Sequence, residues 1–260
     1  MLKVLKWIVI LLVVLIGGAV VSMMAANNQD VVQWQFEIPT PRDAAADDGI
    51  LIFGASRNTG LDVAEILAKR GDKVAAVVRP NSDSSALKAL GVTIVPGDAM
   101  DMASIKAAFE GKRYRTVLTT VACFPCNPKP DYLGNKNIFD AAKEAGVKRV
   151  VLMTTIGAGD SFDTAPWSAR TFLKEMLPLK TQAEDYLKSL GLDYTIIRPG
   201  GLKNGPATGT GLLSEDRTAF GLITREELAR LVVGILDDDR TAGKTFAALD
   251  SSLTFPFDMF

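Results

Sequence analysis

The chain has 260 residues, with 29 basic and 30 acidic side chains, two cysteines and no histidine. The near balance of charge, without a cluster of lysine or arginine, argues against a nucleic-acid-binding protein. The absence of histidine excludes histidine-based triads and nearly all histidine metal sites, and two cysteines cannot form a four-cysteine zinc site, so we expect no bound metal.

An uncharged apolar segment lies near the start of the sequence, from Trp7 to Ala26. Its length is sufficient to span a bilayer as a helix. A cleaved signal peptide is the alternative, because small residues at the end of the segment could form a cleavage site. The length of the apolar run favours a retained single-pass anchor. We therefore predict a transmembrane anchor over residues 1–26, a linker over 27–48 and one soluble domain over 49–260.

From Gly49 onward, apolar runs of strand length alternate with helical patterns. The predicted strands are Ile50–Phe53, Val74–Val78, Val92–Val95, Thr116–Val121, Arg149–Met153, Tyr194–Ile197 and Lys244–Leu249. The predicted helices are Leu61–Arg70, Ser84–Leu90, Ser104–Phe109, Asn135–Ala145, Lys174–Leu190 and Glu226–Leu236. Nearly continuous apolar strands separated by helices indicate a parallel sheet covered on both faces. The predicted fold class is α/β, a doubly wound parallel sheet of the Rossmann type in a single domain, with its site at the carboxyl ends of the strands.

A glycine-containing turn joins the first predicted strand to the first predicted helix. Residues 54–60 read Gly-Ala-Ser-Arg-Asn-Thr-Gly. Gly54 permits the tight turn, and Gly60 lets the helix pack close to the strand. Such a turn presents backbone N–H groups and a helix N-terminus to a pyrophosphate, although Arg57 replaces the usual middle glycine. An ordinary strand-to-helix turn is the alternative interpretation.

Charged residues follow the second and third predicted strands. Arg79 stands where dinucleotide domains that prefer NAD carry an acid for the ribose 2′-hydroxyl, and an arginine there pairs with a 2′-phosphate. Arg57 could reach the same phosphate, so the two arginines favour NADP, unless both are solvated surface residues. Asp98 could accept a hydrogen bond from adenine, or it could cap the helix that begins near Asp101.

These motifs together resemble the atypical short-chain dehydrogenase/reductases, especially their NmrA-like and biliverdin-reductase-B-like branch. The resemblance covers residues 49–250 and rests on segments 54–60, 97–98, 134–137, 141–148, 154–161, 180–184 and 193–202. It implies that a nucleotide binds along the carboxyl ends of the strands. The cofactor-binding residues implied by the resemblance and by the arginines are Gly54, Ser56, Arg57, Asn58, Thr59, Gly60, Arg79, Asp98, Thr120, Lys180 and Pro199.

The family also implies a catalytic pattern of serine or threonine, tyrosine and lysine, with the tyrosine four residues before the lysine. Lys180 occupies the lysine position, and Thr155 stands near the position of the serine. Met176 replaces the tyrosine that donates the proton, which puts the proton-transfer step in doubt. Tyr132 is the candidate substitute.

Cys123 and Cys126 follow the fourth predicted strand, at the end of the sheet where the active site is expected. A pair with this spacing can form a tight disulfide or a redox couple. Two free thiols in a proline-containing loop are the alternative.

Two functions are compatible with the sequence. The first is a membrane-anchored NADPH-dependent reductase that acts on a lipophilic acceptor such as a quinone, an isoprenoid or a pigment precursor. The second is a non-catalytic NADP-binding accessory or assembly subunit of a membrane electron-transfer complex. In both functions, the lipid bilayer is an expected binding partner of the protein. Lys3 and Lys6 precede the apolar segment and would export the domain by the positive-inside rule, whereas the cofactor argues for the cytoplasmic side.

Overall fold

The computed structural model describes residues 48–254, together with Trp7. Its strands are β1 (Gly49–Phe53), β2 (Val74–Val78), β3 (Thr93–Pro96), β4 (Tyr114–Thr119), β5 (Arg149–Met153), β6 (Asp193–Pro199), β7 (Gly201–Lys203), β8 (Gly211–Ser214), β9 (Leu222–Thr224) and β10 (Lys244–Asp250). Its α-helices are α1 (Asn58–Arg70), α2 (Ser85–Ala89), α3 (Met102–Phe109), α4 (Leu133–Glu144), α5 (Trp167–Phe172), α6 (Leu177–Ser189) and α7 (Arg225–Leu236). Short 3₁₀ helices cover Gly159–Thr164 and Asp239–Thr241.

Eight of these strands form one sheet in the order β3-β2-β1-β4-β5-β6-β10-β8. All neighbouring pairs are parallel except β10 and β8, which are antiparallel. Strands β7 and β9 pair separately, in parallel. The strand order reverses between β1 and β4, and such a switch point opens a crevice at the carboxyl ends of the strands. The prediction of a single α/β domain built on a doubly wound, mainly parallel sheet is confirmed.

Helices cover both faces of the sheet because the central strands are apolar on both sides. In β1, Ile50 and Ile52 pack into the cluster that contains α1 and α7, whereas Leu51 and Phe53 pack into the cluster that contains α3, α4 and α6. Alternate residues of a strand face opposite sides, so β1 supplies both layers. Each fully buried side chain of this size contributes roughly 1.5–3 kcal/mol.

Several predicted boundaries shift by a few residues. The helix predicted over Lys174–Leu190 begins later, at Leu177, because a proline in its first turn favours a helix start there. Helix α7 is capped by Thr224, whose hydroxyl accepts a hydrogen bond from the N–H of Glu227 at 3.1 Å. Strands β7, β8 and β9 were not predicted, because their segments are short and lie beside glycine-rich sequence.

The predicted localisation at a membrane, through a single-pass anchor, is contradicted. Among the residues that the structure describes, no helix combines the length and the apolar character needed to cross a membrane. The segment predicted as the anchor, residues 1–26, lies outside the described residues except for Trp7, and the predicted linker lies outside them up to residue 47.

Candidate functional site

A cavity of about 520 Å³ lies at the carboxyl ends of the parallel strands, where the switch point places it. Every residue predicted to bind the cofactor lines this cavity: Gly54, Ser56, Arg57, Asn58, Thr59, Gly60, Arg79, Asp98, Thr120, Lys180 and Pro199. We call the part formed by Gly54, residues 56–60, Arg79, Asp98 and Arg225 the glycine-turn end. The lysine end is the part formed by residues 120–123, Cys126, Met153, Thr154, Lys180, Pro199 and Leu202.

The glycine turn is packed so closely that a larger residue would not fit. Gly54 has a φ of +88°, which favours glycine, and a Cβ atom on Gly60 would lie 2.2 Å from the carbonyl oxygen of Gly54. The hydroxyl of Thr120 donates to the same carbonyl at 3.1 Å and ties the turn to the end of β4. No side chain caps the first turn of α1, whereas Asp101 caps α3. The first amides of α1 therefore remain available to a phosphate.

Positive charge dominates the lining of the glycine-turn end. Arg57 and Arg79 are exposed, and neither forms an ion pair with another residue in the described range 48–254. Arg225, at the start of α7, also lines the cavity and donates to the side-chain oxygen of Asn204 at 2.5 Å. Arg225 could not be assigned to this site from the sequence, because only the packing of α7 against α1 brings it there. These cations suit a ligand that carries several phosphates.

Asp98 supplies the carboxylate of the glycine-turn end. Its Oδ1 accepts a hydrogen bond from the N–H of Met100 at 2.9 Å. The helix cap that the sequence left open belongs instead to Asp101, whose side chain accepts from the N–H of Ala103 at 3.1 Å. Asp98 therefore keeps its second oxygen for another donor, and its contact with adenine stays a prediction.

At the lysine end, Lys180 is paired with a buried carboxylate that the sequence analysis did not single out. Its Nζ lies 3.0 Å from Oδ1 of Asp131, whose side chain has no exposed surface. The other oxygen, Oδ2, accepts from the N–H of Cys123 at 3.3 Å. An ammonium group has three donors, so Lys180 can still donate to a ligand in the cavity.

Of the two adjacent threonines after β5, Thr154 lines the cavity and Thr155 does not. The Thr154 hydroxyl donates to Oε1 of Glu184 at 2.6 Å, and Glu184 receives two hydrogen bonds from Arg198, at 3.1 and 2.6 Å. Burial alone would lower the pKa of Arg198, but its bonds to Glu184 and Asp160 outweigh burial, so this pKa is raised. The bond from Arg198 likewise lowers the pKa of Asp160. The catalytic role predicted for Thr155 has no contact in the cavity to support it.

No tyrosine reaches the cavity, although all four tyrosines fall within the described range. Met176 is buried one helical turn before Lys180 and does not line the cavity. Tyr132, the candidate substitute, immediately precedes α4 and packs against the core. The hydroxyl of Tyr186 donates to Asp140 at 2.6 Å. The site therefore offers no phenol as a proton donor.

Cys123 and Cys126 form a disulfide, and both residues line the cavity. Phe124, between them, stacks on Phe172 of α5 with ring centroids 4.8 Å apart. The Nζ atom of Lys129 donates to the carbonyl oxygens of Phe124 and Cys126, at 2.9 and 3.4 Å. Of the two states that the sequence left open, the structure contains the disulfide.

A sequence model of the NAD(P)H-binding family matches residues 54–239. An uncharacterised chloroplast protein of Arabidopsis thaliana is 32% identical over 209 residues, which cover 75% of this chain and 74% of that protein. A sanguinarine reductase of Eschscholzia californica is 30% identical over 247 residues, which cover 76% and 87%. Among solved structures, ChuY, an anaerobillin reductase of Escherichia coli O157:H7, matches with a TM-score of 0.73 and 27% identity over 80% of this chain and 99% of that chain.

Proposed function

The chain belongs to the NAD(P)H-binding family, and from that premise we propose that it binds NADP(H) in its cavity and acts as a reductase. The observation that carries the choice of nucleotide is the pair of exposed arginines, Arg57 and Arg79, at the glycine-turn end. A 2′-phosphate would give them the partner that no other residue in the range 48–254 provides.

The shape of the glycine turn supports the same ligand. The first amides of α1 would receive the pyrophosphate, and the lack of a side chain at Gly60 lets α1 begin close to the carbonyl of Gly54. Asp98 would accept from adenine, and Lys180 would donate to the ribose next to the nicotinamide. When bound, NADPH supplies a hydride to the acceptor.

The lysine end supports a lipophilic acceptor. Besides Lys180, its lining includes Val121, Met153 and Leu202, and Leu202 is 40% exposed. These apolar side chains favour an apolar ring or chain. Because no tyrosine lines the cavity, the best acceptor is one that takes its proton from water, such as a quinone or a flavin.

The test is a comparison of NADPH oxidation with a quinone, a flavin and an aldehyde. We expect turnover with the quinone or the flavin and little or none with the aldehyde. Gly60→Ala provides the control, because an enzyme with a weakened nucleotide site should lose most of its turnover at an NADPH concentration near the dissociation constant of the wild type. Fast aldehyde reduction by the wild type would contradict the assigned lack of a proton donor.

A second candidate function is a non-catalytic NADP-binding subunit that helps to assemble a larger complex. The observation that favours it is the lysine end itself, where Met176 replaces the tyrosine and Asp131 neutralises Lys180. Under this alternative, the protein binds NADPH but does not oxidise it, whichever acceptor is added. It then co-purifies with other subunits from its native source.

A further inference from the structure

The disulfide of Cys123 and Cys126 forms part of the cavity wall at the lysine end. Both cysteines are only half-buried, and the residues between them, Phe124 and Pro125, are exposed. A disulfide placed in this way can be approached from solvent by a small thiol. Neither a nucleotide site nor a packed core requires sulfur at this position.

One residue connects the disulfide to the lysine of the site. The N–H of Cys123 donates to Oδ2 of Asp131, and Oδ1 of Asp131 lies 3.0 Å from Nζ of Lys180. Oδ1 is buried and has no hydrogen bond within the described structure, so the ion pair is its only polar contact there. The position of this carboxylate therefore depends on the backbone of Cys123 on one side and on Lys180 on the other.

A second connection runs through Lys129. Its Nζ donates to two carbonyl oxygens of the disulfide loop and lies 3.3 Å from a carboxylate oxygen of Glu175. Glu175 immediately precedes Met176 and α6, the helix that carries Lys180. The loop closed by the disulfide is thus tied to both the counter-ion and the helix of Lys180.

We propose that Cys123 and Cys126 are a thiol–disulfide exchange site for a dithiol reductant, and that its oxidation state sets how tightly the cavity holds NADP(H). The second part rests on the proposed function, since it requires that NADP(H) binds here. The disulfide form holds Asp131, and through it Lys180, in the position that receives the nucleotide. Reduction opens the loop, and Lys180 must then be ordered by the nucleotide itself, which weakens binding.

The exchange follows ordinary disulfide chemistry. A thiolate of the reductant attacks one sulfur of the pair, the Cys123–Cys126 bond breaks, and a mixed disulfide forms. The second thiolate of the reductant then displaces the remaining cysteine. The reductant leaves as a disulfide, and the protein gains two electrons and two protons as a pair of thiols.

The experiment measures NADPH affinity of the full chain as isolated and after reduction with dithiothreitol, with thiol alkylation and mass spectrometry to verify the state of the cysteines. We expect reduction to weaken binding by about 2- to 10-fold, which corresponds to ordering one long side chain. A melting curve of the reduced protein, recorded first, sets the temperature below the unfolding transition.

Two variants locate the effect. The double variant Cys123→Ser and Cys126→Ser should bind NADPH like the reduced wild type and should not respond to dithiothreitol. Asp131→Asn keeps the cysteines but removes the charge that reaches Lys180, so its two redox states should bind NADPH almost equally.

The possible failures are distinguishable. Equal affinity of the oxidised and reduced wild type overturns the inference but leaves the proposed function intact. A disulfide that dithiothreitol does not reduce in the folded protein overturns the exchange site. Absence of NADPH binding in both states overturns the proposed function and the inference together.

Discussion

The two ends of the cavity differ in whether their cationic side chains have an acidic partner inside the protein. At the glycine-turn end, Arg57 and Arg79 have no acidic partner in the range 48–254, so their charges are available to a ligand. At the lysine end, Lys180 has a partner inside the protein, the buried Asp131 at 3.0 Å. One end therefore presents positive charge without a partner inside the described range, whereas the cation at the other end is neutralised by a buried carboxylate.

This difference predicts that substitutions at the two ends change different properties. Substitution of Arg57 or Arg79 should change nucleotide affinity and leave the fold intact, because neither side chain pairs with another residue in the range 48–254. Substitutions at the lysine end should change stability as well, because the buried charges depend on each other.

The largest expected effect is the loss of stability in Lys180→Met. The substitution leaves Asp131 buried without its cation, and breaking a buried pair on one side costs about 3–5 kcal/mol. Chemical denaturation measures the change. Adding Asp131→Asn to the same chain should restore part of the loss, and an additive double variant would show that the two residues are not coupled.

Gly60→Ala should weaken NADPH binding by about 100-fold or more, which is about 2.8 kcal/mol. The new methyl group would lie 2.2 Å from the carbonyl oxygen of Gly54 and force the turn apart. Gly221→Ala is the matched control, because its nearest neighbour, a carbon of Leu249, would lie at an ordinary 3.4 Å. Unchanged binding in a folded Gly60→Ala protein would place the nucleotide elsewhere.

Arg79→Ala should reduce the preference for NADPH over NADH by about 10- to 100-fold, since a charge-assisted hydrogen bond contributes about 1.5–3 kcal/mol. Affinity for NADH should change little. Arg113→Ala is the matched control, because Arg113 is exposed just before the amino end of β4, opposite the carboxyl ends that form the cavity, and pairs with Asp48. An Arg79→Ala protein that keeps its full preference would refute the role of this residue.

The smallest expected effect is in Asp160→Asn, which removes an ion pair with Arg198 outside the lining of the cavity. Asp160 is exposed, so its bond to Arg198 should contribute at most about 1 kcal/mol to stability at neutral pH. Because the pKa of Asp160 is lowered in the folded state, this contribution is present above the unfolded pKa, near 3.9. It is lost as the pH falls through the folded pKa. Denaturation curves of wild type and variant should therefore converge in acid, and a constant difference would contradict the assignment.

The sequence predicted the glycine-turn end well because its features are local. A strand, a turn and a helix in direct succession define the positions of Gly54 and Gly60, and Arg79 follows directly from the end of β2. The lysine end depends on contacts between distant segments. Asp131 meets Lys180 only when α4 and α6 pack side by side, and no local sequence pattern around either residue predicts the ion pair.

The choice between the adjacent residues Thr154 and Thr155 shows a second limit of predicting a site from sequence. Strand β5 ends at Met153, and consecutive residues beyond a strand face opposite sides. A shift of one residue therefore decides whether Thr154 or Thr155 faces the cavity, and sequence patterns rarely fix a boundary that closely. Arg225 was missed for a related reason, because its helix reaches the site through packing against α1.

Calorimetric titration of the full chain with NADPH and, separately, with NADH tests the proposed NADP(H) site. We expect one NADPH to bind per chain, at least about tenfold more tightly than NADH, because Arg57 and Arg79 would meet the 2′-phosphate. Equal affinities for the two nucleotides, or no binding of either, would refute the site.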